Sequence, residues 1–225
     1  APRGTLRVSA PVIFGERHLA PLLPAFLSRN PAVRVELSLG DAFVNLVADG
    51  FDVALRVGPL SDSSLVRSKI GTVESVVVAA PSYLARAGIP ETPADLARYN
   101  CLRYSNVTAA QEWRFRSGRG QASVPVIGNL ELNHGGAMRE AVVAGAGIAK
   151  LPDFLVADAL ASGALVRLLD AFALPPSGVH LVYPSATTPL PKLEVFVREI
   201  GAALRGRLTN LQTVPVKTAR ADRDV

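Results

Sequence analysis

Two kinds of hydrophobic periodicity alternate along this chain, and that alternation restricts the fold more than any other feature. Thr5 to Ala10 alternates apolar and polar residues as a half-buried strand does. His18 to Arg29 instead repeats its apolar positions at helical spacing until Asn30-Pro31 breaks the pattern. Val33 to Leu39 predicts a second strand, Ala42 to Asp49 a short helix capped by Asp41 and ended by Gly50, and Asp52 to Val57 a third strand. Two βαβ units therefore occupy the first 58 residues. Such units favour a parallel sheet with right-handed crossovers, whose ligands lie beyond the carboxyl ends of the strands. The loops at Pro11, Asp41 and Gly58 are expected to converge there.

The register then changes. Leu65 to Ile70 and Ser75 to Ala80 read as extended, Pro81 to Ala87 and Pro93 to Arg98 as short helices opened by proline, and Cys101 to Tyr104 as extended again. Glu112 to Arg116 and Gln121 to Val126 predict a hairpin around Ser117-Gly118-Arg119-Gly120. A second βαβ set follows, with strands at Gly128 to Asn133 and Gly147 to Leu151 and helices at Gly136 to Ala144 and Asp153 to Ala161. Val179 to Tyr183 predicts a last strand and Pro191 to Arg205 an amphipathic helix, ahead of an unpatterned tail from Thr209. Each set is small for an independent fold, so the expectation is two α/β lobes. Lobe I takes residues 1–73 and 176–208, lobe II residues 74–175, and the tail residues 209–225. The chain would cross near Thr72 to Glu74 and Pro175 to Gly178, making a two-strand hinge beside a cleft, a design suited to closing on a small molecule.

Composition excludes several classes. Hydrophobic residues at 49% and charged residues at 19% describe a folding chain rather than a disordered one. Apolar stretches such as Val76 to Ala80 fall far short of the roughly 18 residues that cross a bilayer. No export signal is visible ahead of the first strand, and Cys101 is the only cysteine, so a reducing cytoplasm is the expected location. The net charge of +5 suggests nucleic acid, but five basic residues against two acids lie from Arg205 onward. Arg114, Arg116 and Arg119 are the best remaining basic cluster, and their alternation along a strand and turn is the pattern of a solvated face.

The catalytic signals are weak. His18, His134 and His180 lack the spacing of a zinc site, there is no G-x-S-x-G elbow, and Cys101 sits in an apolar strand as an inert buried thiol does. Neither a metal, a cofactor nor an enzymatic function is expected. Gly145 to Lys150 resembles a phosphate loop only superficially, because it follows a helix and precedes a strand; its glycines read as a helix C-cap and tight turn. Asn106-Val107-Thr108 is read as a chance match to a glycosylation acceptor. More productive are the polar loops at helix starts, Pro11 to Arg17 and Asn133 to Gly136, where unpaired N–H groups suit an anion. Plain capping and turn roles for Asn133 and Gly135-Gly136 fit the same spacing.

Read in order, Leu6 to Pro11 with Phe14-Gly15, Leu22 to Phe26 with Pro31, and Gly50-Phe51-Asp52-Val53-Ala54-Leu55-Arg56-Val57-Gly58 form a familiar series. It continues through Asp62-Ser63-Ser64-Leu65, Ala80-Pro81-Ser82-Tyr83-Leu84, Pro93-Ala94-Asp95-Leu96, and Ala144 to Ala149 with Leu151-Pro152. From about Thr5 to Arg205 the chain resembles the effector-binding domain of LysR-type transcriptional regulators. The resemblance implies two Rossmann-like lobes of the type 2 periplasmic-binding-protein kind, joined by a double-strand hinge. It implies a small-molecule effector in the cleft, and a sensor whose DNA contact belongs to an N-terminal helix-turn-helix outside this chain. It implies a homodimer through His18 to Arg29 and Val33 to Leu39, higher assembly of the full protein, and no membrane partner. The effector contacts it implies are Ser9, Ala10, Pro11 and Val12; Asp41 and Ala42; Arg56 and Gly58; and, across the cleft, Tyr104, Ser105, Asn133 and His134.

Two cations sharpen the ligand class. Arg56 ends a core strand, either paired with Asp41 or Asp52 or facing the cleft as a cation. Lys150, which departs from the family's apolar residue before Leu-Pro, either snorkels to solvent or adds a second cleft charge. With both inward, the effector is a small carboxylate or aromatic acid. The alternative of the same fold is a solute-binding protein of a transport system.

Overall fold

The computed structural model describes residues 1–42, 45–58, 65–106, 111–185 and 190–211. Strand β1 (Gly4–Ala10) buries Leu6, Val8 and Ala10 and ends at Pro11, where the chain turns helical. The helical run comprises α1 (Val12–Phe14), a π-helical turn over Gly15–Leu19, a 3-10 turn over Ala20–Leu22, and α2 (Leu23–Arg29). Asn30 ends it, its side-chain amide donating to the Phe26 carbonyl at 3.0 Å. β2 (Val33–Leu39) then pairs in parallel with β1 from Gly4 opposite Val33 to Ala10 opposite Leu39.

The helix expected over Ala42 to Asp49 is replaced, where described, by turns over residues 46–50; Phe43 and Val44 lie outside the described residues. Asn45 organises the turn: its side-chain oxygen accepts from Ala48 N at 3.2 Å, and its own N–H donates to Asp49 at 2.9 Å. Asp41 is therefore not the cap of this segment, because Asn45 performs that task. β3 (Val53–Val57) lies parallel to β1 on the side away from β2, and β4 (Leu65–Val73) follows.

Next come β5 (Ser75–Ala79), α3 (Pro81–Ala87), a 3-10 turn over Pro93–Arg98 with a Thr92–Asp95 capping box, and the short strand β6 (Arg103–Tyr104). β7 (Glu112–Ser117) and β8 (Gly120–Pro125) make the expected hairpin, with Ser117 opposite Gly120. β9 (Glu131–Leu132) is shorter than the strand expected over Gly128 to Asn133. α4 (Gly135–Val143), β10 (Ile148–Pro152) and α5 (Asp153–Ser162) follow in the expected order. β11 (Val166–Leu168) is an element the periodicity did not indicate: three residues with arginine at the centre carry no alternation to detect. β12 (Ser177–Pro184) and α6 (Pro191–Leu211) complete the described chain. α6 runs three residues into the stretch read as tail.

The described residues divide into two compact units, Ala1–Val73 with the segment from Ser177, and Glu74–Pro176. In the first, the strand order is β2-β1-β3-β12-β4, with β12 antiparallel to both neighbours. The sheet is thus mixed rather than wholly parallel, because β12, from late in the chain, enters antiparallel between β3 and β4. Leu193, Phe196, Ile200, Leu204 and Leu208 form the buried stripe of α6, spaced by three and four residues. Phe196 meets Phe26 edge to face, with ring centroids 5.4 Å apart. Lys192 ties the start of α6 to the sheet, bonding Asp52 at 3.1 Å and the Thr5 carbonyl. Asp52 also accepts from Arg7 N at 2.8 Å.

In the second unit β5 lies between β10 and β11, antiparallel to both. A parallel bridge from Ile148 to Cys101 and parallel pairing of β6 with β9 extend the layer. Trp113 and Phe115 of β7 pack into a core with Val77, Leu96, Cys101 and Ile148. Gly145 has φ +82°, the conformation expected after a helix end, whereas Gly147 serves a different purpose. A Cβ there would stand 2.3 Å from the Asn100 carbonyl oxygen, so only glycine lets the two backbones approach.

Two histidines of the first unit link its stability to pH. Burial, then Arg207 and Arg17, hold His18 below the usual imidazole range; burial, then Lys69 and Arg67, do the same for His180. Both are lowered, so their stability contribution is complete above about pH 6.5 and declines as pH falls through the lower folded values. Thermal denaturation between pH 7.5 and 5.5 should show a falling midpoint, with a smaller fall in His18→Gln.

Candidate functional site

Three parallel strands of the first unit end at one edge of the sheet, and eight of the expected site residues lie at those ends. Ser9 is buried, flanked by Ser38 of β2 and Ala54 of β3, and Ala10 accepts from Gly40 N at 3.0 Å. Pro11 leaves the ladder, and its carbonyl accepts from Gly15 N at 2.7 Å, opening the helical run. The N–H of Val12 donates to Asp41 Oδ1 at 2.9 Å. Asp41 thus caps the first helical run rather than the segment that follows it, and it clamps the loop after β2 to the loop after β1. Ala42 is exposed beside it.

Arg56 and Gly58 stand at the end of β3, Gly58 with φ +100° and its N–H donating to the Gly178 carbonyl at 3.0 Å. Burial lowers the Arg56 pKa. Asp52, one of its two expected acidic partners, is engaged by Lys192 and the Arg7 N–H. Arg56 lies opposite His180 on β12.

In the second unit the parallel pair β6 and β9 gathers four more. Ser105 N donates to the Leu132 carbonyl at 3.0 Å, placing Tyr104 and Ser105 beside Asn133 and His134. His134 is the N-cap of α4, its Nδ1 accepting from Ala137 N at 3.1 Å. That bond leaves Nε2 as the proton-bearing nitrogen of the neutral ring, a donor. The capping role therefore belongs to His134, not to Asn133. Asn106 is the residue that sequence reasoning missed: its amide donates to the Asn133 carbonyl at 2.6 Å and to Tyr104 Oη at 3.4 Å, tying the two strand ends together. Its place directly after Tyr104-Ser105 was the available signal.

Lys150 lies apart from these four. Its ammonium donates to the Arg114 carbonyl at 2.5 Å and lies 4.9 Å from the centre of the Phe115 ring. It lines a narrow pocket of the second unit, to which none of Tyr104, Ser105, Asn133 and His134 contributes. It therefore neither reaches freely to solvent nor joins the β6–β9 cluster.

Ser9, Asp41 and Arg56 in the first cluster, and Tyr104, Ser105, Asn106 and His134 in the second, give each a mixture of polar donors and acceptors suited to holding a polar small molecule. Burial raises the Cys101 thiol to about 12, and its sulfur is 3.7 Å from the Leu96 carbonyl, so it is no ready nucleophile. Among the described residues no group of three His, Cys, Asp or Glu side chains could hold a metal ion, and no helix is long and apolar enough to cross a membrane.

Residues 1–205 match the family model of the LysR substrate binding domain. The chain is 37% identical over 201 residues to the HTH-type transcriptional regulator PtxR of Pseudomonas aeruginosa, covering 88% of this chain and 64% of the relative. It is 36% identical over 184 residues to the HTH-type transcriptional activator AaeR of Escherichia coli, covering 81% and 59%. The solved regulatory domain of CrgA, a LysR-type transcriptional regulator from Neisseria meningitidis, matches with a TM-score of 0.77 at 29% identity, over 90% of this chain and 100% of that one. The chain thus spans under two thirds of the length of these curated relatives.

Asp41→Ala should remove the acceptor for the Val12 N–H and cost about 1 kcal/mol. Urea unfolding checks it: the midpoint should fall with the slope unchanged.

Proposed function

As this chain belongs to the LysR substrate-binding-domain family, we propose that it is the ligand-sensing part of a transcriptional regulator, working in the cytoplasm by recognition rather than catalysis. The carrying observation is the pair of polar clusters, one in each unit, at the ends of parallel strands. In this reading the effector is a small carboxylate or aromatic acid. The first unit supplies Ser9, Ala10, Pro11, Val12, Asp41, Ala42, Arg56 and Gly58, and the second supplies Tyr104, Ser105, Asn133 and His134. The start of α4 beside His134 sets a partial positive charge near the acid. A ligand that binds one arrangement of the protein about 100-fold more tightly than another biases it by roughly 2.7 kcal/mol, a shift from about 1:10 to about 10:1. Control of transcription would pass to a DNA-binding helix-turn-helix elsewhere in the full protein.

The same reading makes the domain a homodimer through His18 to Arg29 and Val33 to Leu39, with higher assembly in the full protein. β2 supports this: it is the outer strand of its sheet, with Leu39 exposed, and an outer strand left open favours pairing. A transport solute-binding role is not favoured, since the relatives described above are transcriptional regulators.

Titration calorimetry of aliphatic and aromatic acids is the test. A binding acid should lose about tenfold in affinity, roughly 1.4 kcal/mol, in both Ser9→Ala and His134→Ala. An acid whose binding is indifferent to both substitutions, or the absence of any binding acid, would remove the proposed site.

A further inference from the structure

Three adjacent strands of the first unit carry a basic residue at the same level. Arg56 of β3 lies opposite His180 of β12, and His180 lies opposite Lys69 of β4, so the three side chains share one face of the sheet. The place of Lys69 in this row depends on a bulge. Val179 pairs with Gly71, and regular pairing would next set His180 opposite Ile70; the ladder instead skips Ile70 and brings Lys69 there. Ile70 and Gly71 both turn toward α6, at Gly201 and Leu208, which releases Lys69 to the opposite face beside His180. Bulges re-aim side chains in this way and are frequent next to binding sites.

The imidazole of His180 is also seated. Its ring lies over the backbone of Gly178, where a Cβ would stand 2.3 Å from Cε1 and 3.0 Å from Nε2, so glycine there leaves the ring its place. Nδ1 is buried without a hydrogen-bond partner, so the ring can meet a ligand only through Nε2. Burial first, then Lys69 and Arg67, lower its pKa, and no carboxylate among the described residues offsets them. Like charges opposite one another on adjacent strands are destabilising. Cations on an outer strand guard it against unwanted pairing, which accounts for Lys69 and Arg67 on β4. It does not account for Arg56 and His180, half-buried on the inner strands β3 and β12. Positive charge concentrated there, at a cost to the sheet, has the character of a site for an anion.

We propose that Arg56, His180 and Lys69 form one binding site for a short dicarboxylate on the first unit. Strands stand about 4.8 Å apart, so the row spans roughly 10 Å of backbone, and a ligand with two acidic ends meets it where a single carboxylate reaches only part of it. One carboxylate lies on Arg56, whose guanidinium can present two parallel N–H groups, and the other on Lys69, with His180 Nε2 between them. The site shares Arg56 with the effector cluster of its unit and to that extent rests on the effector reading, whose small acid it narrows to a diacid. His180 and Lys69 belong to this site alone.

Succinate is the probe, with acetate and sulfate at equal ionic strength for comparison. The chain's three histidines, His18, His134 and His180, supply the readout: their imidazole resonances, assigned through His18→Gln, His134→Gln and His180→Gln, are titrated by NMR. Saturating succinate should raise the His180 midpoint by about one unit, a tenfold preference for the protonated ring, and leave His18 where it is. Acetate and sulfate should move His180 by less than about a third as much. In Lys69→Gln, a change at an exposed position, the affinity for succinate should fall about tenfold. The His134 resonance separates this site from the wider effector reading. Succinate that moves His180 while His134 stays still supports the row and counts against the two-cluster effector site, whereas movement of His134 alone does the reverse. An unmoved His180, a response to acetate or sulfate as large as that to succinate, or an affinity unchanged in Lys69→Gln would overturn the proposal.

Discussion

Parallel pairing of β1 with both β2 and β3 is the constraint on which the first unit depends. The ladder with β2 runs in register from Gly4 opposite Val33 to Ala10 opposite Leu39. A slip of one residue would turn Leu6 and Val8 out of the core, so burial fixes the register as firmly as hydrogen bonding does. Once it is fixed, three strands end at the same edge and their loops must meet. The Asp41 carboxylate can reach the Val12 N–H, across 29 positions of sequence, only because of that coincidence.

The second unit obeys the same rule with less parallel structure. Its central strand β5 runs opposite to both neighbours, β10 and β11, so the end of β5 lies beside their starts. Among the described residues only β6 with β9, and the bridge from Cys101 to Ile148, run in parallel. The donor-rich residues accordingly gather at Tyr104 to Asn106 and Asn133 to His134. Lys150, carried on β10 beside Val77, is brought instead to the hairpin residues Arg114 and Phe115.

This difference explains which parts of the structure were legible in the sequence. Strands with clean alternation, the proline-opened helix at Pro81–Ala87 and the hairpin around Gly118 follow from local chemistry, and they form where periodicity places them. Short elements do not: β11 has three residues, and the described residues from Asn45 to Gly50 form a turn held by Asn45 rather than the helix their apolar spacing suggests. Long-range partners were less legible still. Composition shows that Asp41, Asp52 and Arg56 are charged, but only the fold reveals that Asp52 answers to Lys192, 140 residues away. Likewise His134 was visible as a residue at a helix start, whereas its capping bond and the clasp made by Asn106 need the β6–β9 pairing to exist first.

The same long-range pairing disposes of the basic surface that the net charge suggested. Arg114, Arg116 and Arg119 share one hairpin, yet they do not act as one face. Arg116 donates to the Ala171 carbonyl at 2.6 Å and pins the hairpin to the turn after β11. Arg114 gives its carbonyl to Lys150 and lends its charge to that pocket. Only Arg119, in the exposed turn, is left as an ordinary solvated cation. A nucleic-acid footprint needs several cations presented together to phosphates spaced along a strand, and a trio divided in this way does not supply it. Positive charge in this hairpin is spent on internal geometry and on one small pocket.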